Sequence, residues 1–426
     1  MELKRYKLGD LVEVSRGTSL AGEFYATEGE LIRLTLGNFD YQRGGFKHNT
    51  SKDNIYFSGK VKDEYILNEG DIITPLTEQT AGLLGSTARI PESGKYIQSQ
   101  DVALIRCKED LLDPTFCYYL LPSASVKKQL GAAAQQTKIR HTTPDRIKEV
   151  IVDIPPLAEQ KVIGKILDSI TAKIDLNYSL NHYLEAMAKQ LYDYWFVQFD
   201  FPDENGMPYK SSGGKMVWNE KLKREIPQGW SHGSLLDIAN YTNGLACQKF
   251  RPTDGRKLPV IKIKEMHDGF SSETEYVTAD ISESVKVYDG DVLFSWSASL
   301  EVMLWACGNG GLNQHIFKVT SKNGYPKSFY YYQLLNYIAH FKRMAEARKT
   351  TMGHITQEHL QQSIIVLPPD LTIPNQLEVR ISPILEQIVL NNQEIIKLTR
   401  QRDELLPLPM NGQVSVTQLN NDLSQS

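Results

Sequence analysis

The apolar positions of this chain fall into two long seams. Ile163, Leu167, Ile170, Ile174, Asn177, Asn181, Leu184, Ala188, Leu191 and Trp195 advance in alternating steps of four and three. Leu377, Ile381, Ile384, Ile388, Asn391, Ile395, Leu398, Arg402 and Leu405 do the same. That spacing predicts two helices with heptad seams of about four to five repeats, each roughly 45–50 Å long. Two seams of equal length and phase in one chain are expected to pair with each other. Asn177 and Asn391 hold equivalent positions near the middle of each seam. A buried asparagine there costs stability but selects one register, so the two are expected in the same or adjacent layers.

The rest of the chain is also written twice. Leu8-Gly9-Asp10-Leu11 with Gly17 returns as Leu235-Leu236-Asp237-Ile238 with Gly244. Leu31 to Leu34 returns as Val260 to Ile263, and Glu69-Gly70-Asp71-Ile72-Ile73 as Asp289-Gly290-Asp291-Val292-Leu293. Gln100 matches Gln314; Thr137, His141 and Thr143 match Thr350, His354 and Thr356; Pro155-Pro156 matches Pro368-Pro369. His141 and His354 lie 213 residues apart, half of the 426-residue length, and Asn177 and Asn391 lie 214 apart. Each unit runs from short β-rich segments through a helical stretch (Thr115 to Leu130, or Ser328 to Arg348). A short strand (Val150 to Val152, or Ile364 to Val366) and the double proline lead into the seam helix. Tandem copies related by a pseudo-twofold axis would run the two seam helices antiparallel.

The expected class is α+β: two similar globular α/β domains separated by two long helices that form an antiparallel coiled coil. The divisions are a first head over 1–155, a central helix over 156–198 and a connector over 199–230. A second head over 231–369, a C-terminal helix over 370–408 and a loose tail over 409–426 follow. The connector, rich in Gly, Pro and charge, is expected to hug the surface, and the two helices act as a ruler between the heads.

Composition narrows the class. A hydrophobic fraction of 41% and a charged fraction of 23% are those of a soluble globular protein. No apolar run is long enough for a membrane span, and the first residues lack the core of a signal peptide. Four cysteines without a C-x-x-C pair suggest neither zinc nor disulfides, which points to the cytoplasm. The net charge of −4 means that any nucleic-acid contact rests on local basic groups or on partner subunits.

Those local groups recur in both units. Lys127, Lys128, Lys138 and Arg140 cluster in the first, with Arg146 and Lys148 near them, and Lys342, Arg343, Arg348 and Lys349 occupy the matching segment of the second. Gln136, Thr137, His141, Thr351 and His354 are interspersed, a mixture suited to phosphate contact and base-edge hydrogen bonding. Loops after the Gly-Asp strands, Thr74 to Thr87 and Ser295 to Ser299, differ between the units, which suits two surfaces reading different sequences. Ser295 and Ser297 are candidates there.

Catalytic constellations fail on inspection. The Pro-Pro steps at 155–156 and 368–369 lack the preceding polar and following aromatic residue that hold a flipped adenine, since Ile154 and Leu157, or Leu367 and Asp370, flank them. Asp145 with Glu159-Gln160-Lys161 has the bare spacing of a metal-dependent nuclease, but Glu358, Asn375 and Leu377 stand at the matching positions of the second unit. No phosphate-binding glycine motif is present. Catalytic, cofactor and metal sites are therefore expected to be absent from this chain.

The order of parts carries a family resemblance. A head runs into Ile154-Pro155-Pro156-Leu157-Ala158-Glu159-Gln160-Lys161 and a long helix, then Phe199-Asp200-Phe201-Pro202-Asp203-Glu204-Asn205-Gly206 and Arg224-Glu225-Ile226-Pro227-Gln228-Gly229-Trp230, then a second head and helix. This resembles the DNA-specificity subunit of Type I restriction–modification enzymes over nearly the whole chain. The resemblance implies that each head is a target recognition domain reading one half of a split double-stranded DNA target. It implies that the coil docks two methyltransferase subunits, which bring S-adenosylmethionine and methylate adenine. A motor–nuclease restriction subunit would join with ATP and Mg²⁺. A self-contained nuclease or fused restriction–methylation enzyme is the alternative, and a coiled-coil scaffold without a DNA role is a third.

Overall fold

The computed structural model describes residues 3–50, 53–78, 82–133, 140–297, 299–347 and 354–405. The chain divides into two compact units, Met1–Lys173 with Leu398–Ser426, and Ile174–Lys397.

The first unit is built on a four-stranded antiparallel sheet. Its strands β1 (Val12–Arg16), β2 (Ile72–Pro75), β3 (Ala88–Arg89) and β4 (Val102–Cys107) lie in the order β1-β4-β2-β3. Val102 to Ile105 are all buried because β4 is central and both of its faces are covered. Ala103 and Ile105 pack with Phe116, Leu120, Val126 and Leu130 of helices α1 (Pro114–Leu120) and α2 (Ala124–Ala133). Val102 and Leu104 turn the other way, toward Ile32 and Tyr96 of a smaller sheet in which Ile32–Arg33 and Tyr96–Ile97 pair in parallel. The helix expected over Thr115 to Leu130 is two helices. Pro122 cannot continue the hydrogen-bond ladder and interrupts it between them. The unit closes where Lys4–Lys7 pairs with Ile151–Ile154 just before the double proline and helix α3 (Leu157–Tyr192).

The second unit repeats this plan. Strands β5 (Ala239–Asn243), β6 (Val292–Ser295), β7 (Glu301–Leu304) and β8 (Ile316–Ser321) lie in the order β5-β8-β6-β7, again antiparallel. Phe317 and Val319 face Phe329, Leu334 and Phe341 of helix α4 (Lys327–Ala347), whereas Ile316 faces the other way, toward Trp305 and Leu312. Ser231–Ser234 pairs with Ile364–Leu367 before helix α5 (Thr372–Leu405), as Lys4–Lys7 does with its own partner strand in the first unit.

The repeated sequence marks have backbone causes. Gly17 and Gly244 sit where one strand crosses another. A Cβ on Gly17 would stand 2.3 Å from the Gln98 and Ser99 carbonyl oxygens, and one on Gly244 2.3 Å from that of Asn313. Gly70 and Gly290 turn at φ of 85° and 84°, where side chains are strained. Behind them Asp71 and Asp291 accept the backbone N–H of Asn68 at 2.9 Å and of Tyr288 at 2.8 Å, so Gly-Asp is one turn used twice.

The connector is held by its aromatic side chains. Phe199, Phe201 and Trp230 are buried in the second unit's core, with Phe201 and Trp230 stacked at 5.0 Å. Helix α3 ends in a π-turn, Asp193–Val197, that turns Trp195 and Phe196 into that core. The aromatic side chains scattered through a polar segment anchor it.

Within the second unit α3 and α5 run antiparallel. Asn177 Nδ2 donates to Glu394 Oε2 at 2.8 Å, and one turn later Asn391 Nδ2 donates to Asn181 Oδ1 at 2.8 Å while Asn181 Nδ2 reaches Asn392 Oδ1. Asn177 and Asn391 therefore lie in neighbouring layers, and the direct partner of Asn391 is Asn181. Leu385, rather than Ile384, is the buried residue at that step of the second seam. Pro383 just before it cannot supply the helical N–H, so the seam is locally irregular.

Changing Asn391 to Leu leaves the buried Asn181 Oδ1 without its donor, and the unfolding free energy in urea should fall by about 1–3 kcal/mol. The double change Asn181→Leu with Asn391→Leu should recover most of that loss. Gly244→Ala should cost about 1–3 kcal/mol in the same assay, because backbone oxygens must move to admit the methyl.

Candidate nucleic-acid interface

The basic candidates of the first unit surround a buried acid. Glu78 pairs across a two-residue ladder with Arg140, and Thr77 with His141. The Glu78 side chain is only 1% exposed. One oxygen accepts the N–H groups of Leu83 and Leu84 at 2.8 and 2.9 Å, closing the loop that follows β2. The other has no hydrogen bond among the described residues and lies 3.7 Å from the Arg140 guanidinium. Lys127 is half-buried on α2, and burial lowers its pKa, with Glu78 opposing. Burial and the same carboxylate push the Tyr41 hydroxyl up to about 12. Lys128 and His141 are solvent-accessible. Gln136, Thr137 and Lys138 lie outside the described residues.

In the second unit Lys342 and Arg343 are exposed on α4 and make no ion pair among the described residues. Arg348, Lys349 and Thr351 lie outside the described residues. Ser295 and Ser297 are buried, and the Ser295 hydroxyl donates to the carbonyls of Ser297 and Ser299. These serines build the turn and do not present hydroxyls to solvent. His354 is exposed, with its ring set edge-on to Trp296 at 5.4 Å.

The two histidines belong to one repeated arrangement at the end of the main sheet. In the first unit Leu76 N–H donates to the Asp101 carbonyl at 2.8 Å, and Thr142 N–H to the Leu76 carbonyl at 2.9 Å. In the second, Trp296 N–H donates to the His315 carbonyl at 3.3 Å, and Ile355 N–H to the Trp296 carbonyl at 3.0 Å. His141 and His354 each precede the last residue of this ladder, and Gln100 and Gln314 each precede the first carbonyl. The last residues of β1 and β5 flank it. Arg16 Nε donates to the Gln100 carbonyl at 2.8 Å, and Asn243 Oδ1 accepts the Trp296 indole N–H at 2.9 Å.

Sequence reasoning found the glutamines and histidines here as repeat matches but passed over Arg16, Asp101, Asn243, Trp296 and His315. Aligning the repeats outward from Gly17, Asp71 and Gln100 pairs Arg16 with Asn243, Leu76 with Trp296 and Asp101 with His315. Beside this ladder in the first unit, an open cleft of about 500 Å³ is lined by Thr18, Tyr25, Arg33, Tyr41, Gln100 and Asp101 among others.

The nuclease-like spacing dissolves in the fold. Gln160 is 1% exposed, and its amide is spent on Asp113 N–H and on the carbonyls of Leu111 and Pro155. Asp145 lies 3.6 Å from Lys148 on the surface. Among the described residues no group of three or more His, Cys, Asp or Glu could hold a metal ion, and no helix is long and apolar enough to cross a membrane.

Comparison with known proteins agrees with this geometry. The family model for the Type I restriction modification DNA specificity domain matches twice, over residues 2–186 and 227–402. The MjaIX specificity subunit of a Type I restriction enzyme from Methanocaldococcus jannaschii is 24% identical over 71% of this chain and 70% of its own. The HindI specificity subunit from Haemophilus influenzae is 22% identical over 96% and 99%. The crystal structure of the Type I restriction–modification system S subunit from M. genitalium shares the fold, with a TM-score of 0.58 and 14% identity over 95% of both chains. The chain belongs to the Type I restriction–modification DNA specificity family, as a non-catalytic specificity subunit with two target recognition domains.

Proposed function

We propose that this specificity subunit reads a bipartite double-stranded DNA target, one half-site per repeat, and docks two methyltransferase subunits along its long helices. A motor–nuclease restriction subunit completes the complex. S-adenosylmethionine, ATP and Mg²⁺ act in those partners, and the assembly works in the cytoplasm. The observation that carries the two-half reading is the duplicated ladder. One backbone arrangement presents Gln100 and His141 in one unit, and Gln314 and His354 in the other, beside dissimilar neighbours. A target contacted twice through the same geometry and different side chains is a split and asymmetric one. The self-contained nuclease has no structural support in the residues that suggested it.

Docking has its own support. Leu176, Leu180, Tyr183 and Met187 of α3 are 57%, 43%, 70% and 50% exposed. Their steps of four, three and four residues make a second apolar stripe, apart from the seam that faces α5. Leu390 of α5, the repeat equivalent of Leu176, is also 57% exposed. Such a stripe is the complement of a partner helix. The acidic net charge fits the same picture, since partners that hold the duplex supply part of the positive field.

Replacing Lys138 and Arg140 together with Ala should weaken binding of the methyltransferase complex to DNA. The slope of log affinity against log salt should flatten by about 0.9 for each phosphate no longer neutralised, and an unchanged slope contradicts phosphate contact there. Replacing Leu180 and Tyr183 with Glu should abolish copurification with the methyltransferase while leaving the thermal midpoint of the isolated chain in place. Retained copurification contradicts docking on this stripe.

A further inference from the structure

The two ladders differ at one buried position, where Thr142 gives way to Ile355, and at three further ones. Arg16, Leu76 and Asp101 in the first unit are replaced by Asn243, Trp296 and His315 in the second. We propose that these three exchanged side chains make the two half-sites different, while the shared glutamine and histidine contact features common to both. The inference rests on the reading of the chain as a DNA-specificity subunit and names the residues that carry the specificity.

The physical basis starts from the backbone. Gly17 N–H donates to the Val102 carbonyl, and Gly244 N–H to that of Ile316, so the strand ends are fixed alike. The two carbonyl bonds of the ladder hold the next positions alike as well. Divergence here is therefore not a change of loop path. Six corresponding side chains stand on one frame: two of them are kept, and the exchange of Thr142 for Ile355 is buried away from solvent. A position held for stability alone would keep similar size and polarity. The other three instead exchange a cation for an amide, an aliphatic group for an indole and a carboxylate for an imidazole.

Each exchanged group has a distinct hydrogen-bonding capacity. Arg16 spends its Nε on the Gln100 carbonyl, and the remaining guanidinium nitrogens are donors suited to guanine O6 and N7. The Asp101 carboxylate has no hydrogen bond among the described residues, and it is an acceptor suited to the exocyclic amine of cytosine. Together they fit a G·C pair in the first half-site. In the second, Trp296 is held by Asn243 and flanked by His315 at 5.7 Å and His354 at 5.4 Å. An indole fixed in this way offers an apolar surface to the 5-methyl group of thymine, a contact that Leu76, only 2% exposed, does not present. The second half-site is thus expected to hold an A·T pair where the first holds G·C.

Methylome sequencing of cells that carry the full chain with its methyltransferase partner tests this. The variants are Asp101→Asn, which keeps size, and Trp296→Leu, which installs the residue of the other repeat. Asp101→Asn should relax discrimination at one G·C pair of the first half-site by roughly tenfold or more and leave the second unchanged. Trp296→Leu should relax one A·T pair of the second half-site only. Variants that methylate the unaltered motif with undiminished discrimination overturn the proposal, and so does relaxation of both half-sites by one change. If Trp296→Leu fails to accumulate as folded protein, Asp101→Asn decides alone. A wild-type complex that methylates no split target refutes the DNA reading itself, an outcome distinct from either variant result.

Discussion

Two amides meet inside a helix seam whose outer layers are apolar. Asn181 and Asn391 hydrogen-bond each other at 2.8 Å while Ile174, Ala188, Leu377, Ile381 and Ile388 pack along the same seam. An unpaired amide there would lose its hydrogen bonds to water without replacement, which costs more than an apolar mismatch. The pair therefore does more to exclude wrong registers than to hold the helices together, because sliding by a turn would part the two amides and bury at least one of them against isoleucine or leucine. Asn177 with Glu394, and Asn391 with Gln387, extend the polar layer by one turn on either side. Once the register is fixed, the outward positions are fixed with it, including the exposed Leu176, Leu180, Tyr183 and Met187.

The heads obey a different constraint. Each needs a rigid frame and a variable surface, and the frame is set by steric exclusion and backbone bonding rather than by side-chain chemistry. Gly17 and Gly244 allow a carbonyl to approach where any side chain would collide. Asp71 and Asp291 tie off the same turn. With the backbone held this way, side chains at the sheet end can change without loss of fold, as the exchange of Leu76 for Trp296 and Asp101 for His315 illustrates.

Much of this was legible in the sequence. The seams were, because period 3.5 is a direct signature of helix pairing and burial follows it almost residue for residue. The duplication was, because its marks are glycines and aspartates that the backbone cannot do without. The partner of Asn391 was not legible: Asn177 and Asn181 both lie on the seam, and only the packed register distinguishes them. The helix break at Pro122 was visible as a proline but was outweighed by the surrounding apolar residues. Ser295 and Ser297 read as loop hydroxyls yet are buried, and the Ser295 hydroxyl is spent on the carbonyls of Ser297 and Ser299. Trp296 and Asp101 escaped notice because a lone side chain in a divergent loop has no pattern until the fold sets its counterpart beside it.

The central claim is that two half-site readers are joined by helices that act as a ruler. Inserting one heptad into both α3 and α5 outside the asparagine layers, and mapping methylated bases in cells that carry the methyltransferase partner, tests it most directly. The account predicts two unchanged half-sites with a longer unread spacer between them. Altered half-sites, or the original spacing retained at full activity, would contradict it.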